Sequence, residues 1–475
     1  MASASADVTT TIIEFGGNRY KTILRLAMPT VIAMLSQSIV NEIDVIFFSR
    51  LPSPEGSNGQ AALLPSLIIV WLFGGSLSAI SVGTQALTAR RFAEGDRAGA
   101  GAVLTNGVFF CLVAGAVASV LGYFTLPAIL GFMLKKPAVL DIAVDYSRWR
   151  MLGIISMAMT MAIKAFFDGI GKTHVHLVSA LVMNAFNVLF CWIFIYGNFG
   201  VTRMGPAGAG LSAFMATWIG LFIMLAYARG IADRFTAFRK VHLSKTLTWS
   251  ILKLSIPAAL ATVTMMVGFG LFSSIVGKLD QIEATRVGGV GAAAEAVNGA
   301  ATTDIVAVLK LTFTACIAFG TATATLVGQS LGAKRPDEAS AFGWASVRLG
   351  LVIFGLVGLI EGVIFTPQIV GFITHSEAVR EAAMTPMRMM GIVTPIIAVA
   401  MIVSEALFGA GNTRFVALAQ LVLVFGCLVP LAYVLAIVMH IGLLGIWIAT
   451  CVYATLAAIT MSAKFRGGAW KSILL

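Results

Sequence analysis

Charge is what this chain lacks. Of its 475 residues only 11% are Asp, Glu, Lys or Arg, and 59% are hydrophobic. A soluble domain carries about 25% charged residues, so the ionisable groups here are too few to cover a water-facing surface. Cysteine and histidine are scarce too, five of each. Cys111, Cys191, Cys316, Cys427 and Cys451 all lie in apolar stretches, none at metal-ligand spacing, so they read as small core residues rather than a disulfide framework or a zinc site. HExxH and GxSxG are absent. The only phosphate-loop fragment, Gly169-Ile-Gly-Lys-Thr, lacks the first glycine and any strand before it. ATP-driven transport and membrane-embedded hydrolysis are therefore disfavoured; the chain is not read as an enzyme, and no cofactor is expected. The short alternating segments of a membrane β-barrel are missing as well. So is a signal-peptide pattern, because residues 1–18 are small and polar and the first apolar run is too long for a cleaved segment.

What is present is a series of apolar windows about 20 residues long, the length that crosses a bilayer. Twelve are centred on 23–48, 60–88, 100–122, 145–167, 174–197, 207–228, 250–277, 303–329, 341–365, 384–407, 415–438 and 441–463. The net charge of +11 follows them. With the N-terminus placed inside, Lys and Arg divide 20 to 10 in favour of the inner side, and Lys164 and Lys310 lie within spans. This is the positive-inside bias. It predicts a multi-pass protein of the plasma (inner) membrane with both termini cytoplasmic. The basic residues orient the chain in the lipid bilayer, and no nucleic-acid partner is implied.

The chain is also duplicated. Leu24–Leu51 aligns with Leu252–Leu279 without a gap at an offset of 228, matching Pro29 to Pro257, Arg25 to Lys253 and Arg50 to Lys278. From Pro127 to Thr173 the offset is 240. Pro127, Gly131, Phe132, Arg148, Gly169, Gly171 and Thr173 recur as Pro367, Gly371, Phe372, Arg388, Gly409, Gly411 and Thr413. Six spans per half return the chain to its starting side, so the repeat is parallel. The fold class expected is an all-α integral membrane protein, with twelve transmembrane helices in two six-helix lobes related by a pseudo-twofold repeat. The expected organisation is a tail over 1–20, lobes over 21–229 and 250–463, a cytoplasmic linker over 230–249 and a tail over 464–475. The linker carries Arg234, Arg239, Lys240 and Lys245 interleaved with Phe235 and Phe238, a pattern shared by an interfacial amphipathic turn and a solvated loop. The change of offset places about eleven extra residues in Asp280–Thr302, expected as an external loop. Pro29 and Pro257 are expected in the first turns of spans 1 and 7, and Gly171 and Gly411 at the ends of spans 4 and 10.

Ionisable groups inside a membrane cost several kcal/mol and are functional candidates by default. Asp44 is the sharpest. It lies 15 residues after Pro29, about 22 Å along a helix, and aligns with Phe272, so the repeat's packing does not need an acid there. A carboxylate at this point can bind Na⁺ or take a proton. Asn184 and Asn187, three residues apart on one face of span 5, offer amide oxygens for a cation or partners for a carboxylic acid. They align with Val424 and Cys427. A Na⁺ held by Asp44, Asn184 and Asn187 is thus one expectation, and interhelical packing of the amides the other. Further candidates for coupling or for lining a substrate cavity are Glu42, Lys164, Lys310, Glu361 and Glu405. Glu42 faces away from Asp44, Lys310 and Glu405 are a plausible pair, and Lys164 either faces a cavity or snorkels. Asp168 reads as a cytoplasmic-end residue, and His174 and His176 as interfacial.

Several stretches, in order, carry a resemblance. They are Leu26-Ala-Met-Pro-Thr followed by Ile43-Asp44-Val45-Ile46-Phe47-Phe48, then Gly83-Thr-Gln-Ala-Leu leading to Arg90-Arg91-Phe92. Phe166-Phe-Asp-Gly-Ile-Gly-Lys-Thr follows, with Asn187-Val-Leu before Phe194-Ile-Tyr-Gly-Asn-Phe-Gly and Gly205-Pro-Ala-Gly-Ala. The second half supplies Leu326-Val-Gly-Gln-Ser-Leu-Gly-Ala and Leu407-Phe-Gly-Ala-Gly-Asn-Thr-Arg. Over residues 20–463 the chain resembles the multidrug and toxic compound extrusion (MATE) family. The resemblance implies two lobes around a central cavity and export driven by an H⁺ or Na⁺ gradient. It also implies a cation site of a helix 1 acid with helix 5 asparagines, matched by Asp44, Asn184 and Asn187. The chain departs from many members in having no acid in span 7, which reads Thr264-Met-Met-Val-Gly-Phe-Gly. The function expected is a secondary antiporter, working as a monomer, that exports amphipathic organic and foremost cationic compounds in exchange for H⁺ or Na⁺. The alternatives are a lipid-linked saccharide flippase or a citrate-like organic-anion exporter, with Lys164 and Lys310 contacting the anionic group.

Overall fold

A computed structural model of the chain describes residues 17–52, 54–134, 136–238, 243–286, 297–374 and 376–473. Among them every regular element is helical and there is no strand. Eleven helices are long and apolar enough to cross a membrane, and a bent pair makes a twelfth span. In chain order they are α1 (Arg19–Ser49), α2 (Glu55–Ala93), α3 (Arg97–Met133), the bent pair α4 (Pro137–Leu152) and α5 (Ile154–Gly169), α6 (His174–Tyr196) and α7 (Pro206–Phe235). The second half follows with α8 (Lys245–Arg286), α9 (Val297–Gly332), α10 (Pro336–Ile364), the short α11 (Thr366–Ile373), α12 (Glu377–Gly409), α13 (Thr413–Val438) and α14 (Leu443–Arg466).

The helices outrun their apolar windows because polar residues start them. Asn18 caps α1, its side-chain oxygen accepting from the backbone N–H groups of Tyr20 and Lys21, so the helix begins ten residues before its proline by satisfying N–H groups that otherwise have no partner. Pro29 and Pro257 therefore lie inside α1 and α8 rather than in their first turns, contrary to expectation. There each removes one main-chain hydrogen bond. The linker is shorter than its composition implied, since α7 runs to Phe235 and α8 starts at Lys245. Phe235 is buried against Phe92 and Phe166, which takes it out of any interfacial role, while Phe238 remains exposed. Arg239 and Lys240 lie outside the described residues. The expected loop Asp280–Thr302 is helical to Arg286 and again from Val297; 287–296 lie outside the described residues.

The duplication reaches the hydrogen bonds of the helix ends. α5 closes with Gly171 N–H on Asp168 O and Lys172 N–H on Phe167 O; α12 closes with Gly411 N–H on Phe408 O and Asn412 N–H on Leu407 O. Both are Schellman motifs, and both glycines have positive φ, +75° and +85°. The described residues form two compact units, one within Met1–Ala259 and Gly328–Ala339, the other within Leu260–Val327 and Ser340–Leu474. In the first, one apolar core joins Leu104, Phe166, Met224 and Phe235, and another joins Ile69, Leu126, Leu130 and Met151. In the second, Phe272, Met387, Met390, Leu428 and Trp447 belong to one core.

Candidate ion-coupling site

Within the first unit, two helices bring side chains to Asp44 on α1. Asp44 stands near the end of α1 and is 7% exposed. From α4, the Tyr146 hydroxyl donates to Asp44 Oδ2 at 3.0 Å. Arg150, one turn further along α4, donates from Nη1 to the Tyr146 oxygen at 2.8 Å and lies 3.9 Å from Asp44 Oδ2. Its guanidinium also sits 5.5 Å from the centre of the Tyr146 ring, a favourable cation–π distance. From α6, Cys191 Sγ approaches Asp44 Oδ1 at 3.7 Å. The acid is thus the end of a hydrogen-bonded relay from arginine through tyrosine to carboxylate.

The local sequence explains why α4 can deliver Arg150. The helix ends at Leu152, and α5 departs from it at 43°. Arg150 therefore lies in the last turn of α4, where unpaired carbonyls favour a cation. At the break the Ser156 hydroxyl donates to the Gly153 carbonyl at 2.9 Å, the kind of side-chain repair that lets a broken helix persist in a membrane. Tyr146 is fixed from behind by α7, because a Cβ on Gly210 would stand 2.3 Å from the Tyr146 carbonyl oxygen. Only glycine allows that approach.

Asn184 and Asn187 do not join this cluster. The Asn184 amide donates to the Ser36 hydroxyl at 3.0 Å. α1 and α6 run parallel here, Ser36 facing Asn184 and Asp44 facing Cys191. Asn184 is seven residues before Cys191, so about 10 Å along the helix separates its level from that of the carboxylate. Asn187 is half-buried between the two levels. The expected three-residue cage is therefore resolved into two levels, amide on hydroxyl and carboxylate on tyrosine and arginine.

The remaining candidates are dispersed. Lys164 Nζ lies 2.6 Å from Asp168 Oδ2 in a buried ion pair one turn apart, and His176 is buried rather than interfacial. Lys310 occupies an exposed position on α9. Glu361 lies on a π-helical turn, Ile360–Ile364, and accepts from the Thr312 hydroxyl at about 3.0 Å. Glu405 is half-buried, and its stem covers Gly320. The side chain of Glu42 lies outside the described residues.

Tyr146, Arg150 and Cys191 were not singled out by the sequence reading, yet it held the signal. At the offset of 240 they align with Pro386, Met390 and Leu431. They fail to repeat just as Asp44 does. Arg148, which does repeat, drew attention instead; its side chain is exposed and lies 4.0 Å from Asp145.

A duplicated, all-helical, twelve-span protein with charged groups buried inside one unit has the build of a secondary transporter. A family model described as MatE matches residues 29–193 and 257–434, and the chain belongs to that family of MATE transporters. It is 24% identical over 457 residues to a probable multidrug resistance protein NorM of Mannheimia succiniciproducens, covering 93% of this chain and 92% of the relative. With a protein of the same description from Thermotoga maritima it shares 22% over 469 residues, 95% and 93% of the two chains. Two solved structures are similar in fold, each with TM-score 0.83 and 20% identity. One is an outward-facing multidrug resistance MATE family transporter of the MOP superfamily, covering 95% of this chain and 96% of that one. The other is a MOP superfamily transporter from Pyrococcus furiosus, covering 97% and 98%.

Proposed function

We propose that this chain is a secondary active antiporter that exports amphipathic organic compounds, cationic ones foremost, in exchange for H⁺ or Na⁺. It would work as a monomer in the plasma (inner) membrane with both termini cytoplasmic, as the positive-inside bias supports. The relatives described as multidrug resistance proteins support the substrate class. The observation that carries the reading is Asp44, a carboxylate held inside a membrane helix whose counterpart in the second half is Phe272. An acid that the scaffold does not need, and that can change charge by taking up an ion, can bias an equilibrium between inward- and outward-open states. Asn184 and Asn187 would then tune α6 beside it rather than ligate the ion with it. The flippase and organic-anion readings need Lys164 and Lys310 to contact an anionic group, and Lys164 is already ion-paired with Asp168, so cation export is favoured.

Purified protein reconstituted in liposomes tests this. Under an imposed H⁺ or Na⁺ gradient it should move ethidium, and Asp44→Asn should lose the gradient-driven part of the flux. Equal gradient-driven flux in both proteins would remove Asp44 from the mechanism.

A further inference from the structure

The relay on Asp44 bears on which ion the site accepts. A bound Na⁺ needs a cage of several oxygen ligands and a local excess of negative charge. Among the described residues, the carboxylate of Asp44 meets one oxygen, that of Tyr146, one guanidinium and one thiol. A thiol is a soft ligand that suits neither Na⁺ nor any hard cation. On α6, Asn184 is committed to Ser36 two turns from this level, and Asn187, about one turn before Cys191, makes none of the carboxylate's contacts. The charge is also already balanced, because the Arg150 guanidinium lies 3.9 Å from the carboxylate and is joined to it through the Tyr146 hydroxyl.

We propose that Arg150 is a tethered counter-cation for Asp44 that keeps sodium out and leaves the site responsive to protons alone. The proposal rests on reading Asp44 as the coupling acid. A proton and a sodium ion both raise the net charge of the cluster by one, but they do so differently. The proton adds to a carboxylate oxygen, forming an O–H bond and a neutral carboxylic acid. It needs no cage, and it leaves Arg150 as the only full charge, still hydrogen-bonded to Tyr146 and partly accessible. Sodium would remain a second full cation about 4 Å from the first, a repulsion that a weakly polar interior does not screen. Protonation therefore dissolves the ion pair between α1 and α4 and frees Arg150 to move, which gives the two helices a reason to change their arrangement. Among the described residues, the other groups facing this part of α1 supply no substitute charge at the carboxylate. They are Cys191, itself hydrogen-bonded to Ser212, Gln60 on the Val45 carbonyl, and Tyr196 on the Phe47 carbonyl with Arg50 near it at the helix end.

The test reads the site with and without transport. In purified full-length protein, the infrared carboxyl band that vanishes in Asp44→Asn reports protonated Asp44. In the wild type this band should appear as pH falls and should not change when choline chloride is replaced by saturating NaCl. In Arg150→Gln, NaCl should suppress it, shifting its midpoint by roughly tenfold or more in proton concentration. Arg150→Lys, which keeps the charge if the glutamine variant does not fold, should stay insensitive to sodium. In liposomes, ethidium efflux by the wild type should follow a pH gradient and ignore a Na⁺ gradient. Suppression of the wild-type band by NaCl, or wild-type efflux driven by Na⁺ alone, overturns the proposal. If the band behaves as stated but no gradient moves ethidium, the export reading fails while the role of Arg150 stands.

Discussion

The same position of the repeat is built in two opposite ways. In the first half it is Asp44, with Tyr146 and Arg150 from α4 and Cys191 from α6. In the second half the aligned residues are Phe272, Pro386, Met390 and Leu431. Phe272 is 4% exposed and meets Trp447 edge to face with ring centres 5.7 Å apart, in the core that holds Met387, Met390 and Leu428. One copy of the fold is closed by apolar packing at this point, so packing alone suffices there. The other holds a charge pair whose stabilisation is weak, because desolvation of two ions offsets most of their attraction. A costlier solution retained in one half only is an argument for function at that half, and it makes the contrast testable by exchanging residues across the repeat.

The largest effect should come from carrying the acid into the apolar copy. Phe272→Asp deletes a buried aromatic side chain and leaves a carboxyl group without the arginine and tyrosine that accompany Asp44. A loss of about 5 kcal/mol or more is expected from the cavity and the unpaired polar group together, read as a fall in thermal or denaturant stability of the purified protein. A variant of near wild-type stability would mean that the second half can also host an acid, and the contrast would lose its force.

Smaller, and more diagnostic, is the reverse exchange. Arg150→Met installs the second-half residue and strands Asp44 as a buried charge without its partner, for an expected loss of about 3 kcal/mol. Adding Asp44→Leu should restore stability to within about 1 kcal/mol of wild type, since an apolar pair of similar volume often replaces a buried ion pair at little cost. That double variant should fold well and lack gradient-driven efflux. If it is instead as unstable as the single variant, the cluster is a structural element and the functional reading of the asymmetry is wrong.

How much of this was legible in the sequence differs by level. Span number and the parallel repeat could be read directly, because apolar length and aligned prolines and glycines are local features. Asp44 was legible because an acid within an apolar run is conspicuous. Arg150 was not, because it lies at the polar edge of a window and reads as one more loop cation. Arg150 shares a face of α4 with Tyr146 one turn earlier, and only the packing of α4 beside α1 brings that face to the acid. The pairing of Asn184 with Ser36 rather than with Asp44 was hidden for a related reason. Residue spacing gives the face of a helix but not the level at which a neighbouring helix meets it. Lys164 and Asp168 show the converse, since their four-residue spacing alone puts them one turn apart on a common face.

The smallest expected effect tests the scaffold rather than the site. α2 and α9 end alike. Gly95 N–H bonds to Phe92 O and Asp96 N–H to Arg91 O; Lys334 N–H bonds to Leu331 O and Arg335 N–H to Ser330 O. The two motifs stand 239 residues apart, and the left-handed position is glycine in one and lysine in the other, with φ of +84° and +58°. The hydrogen-bonding geometry has been retained although the residue best suited to it has not. A side chain in this conformation is strained by about 1 kcal/mol relative to glycine. A Cβ on Gly95 would meet no atom within 4 Å, so Gly95→Ala probes the dihedral alone and should lower stability by about 1 kcal/mol. Lys334→Gly should raise it by a similar amount, and neither should alter ethidium efflux, since both lie away from Asp44 in the chain and in its hydrogen-bonded cluster. Opposite signs of equal size would show that the two helix ends are one motif under one backbone constraint. A loss in both would show that Lys334 makes a contact of its own, and that even the repeated scaffold has diverged in what holds it.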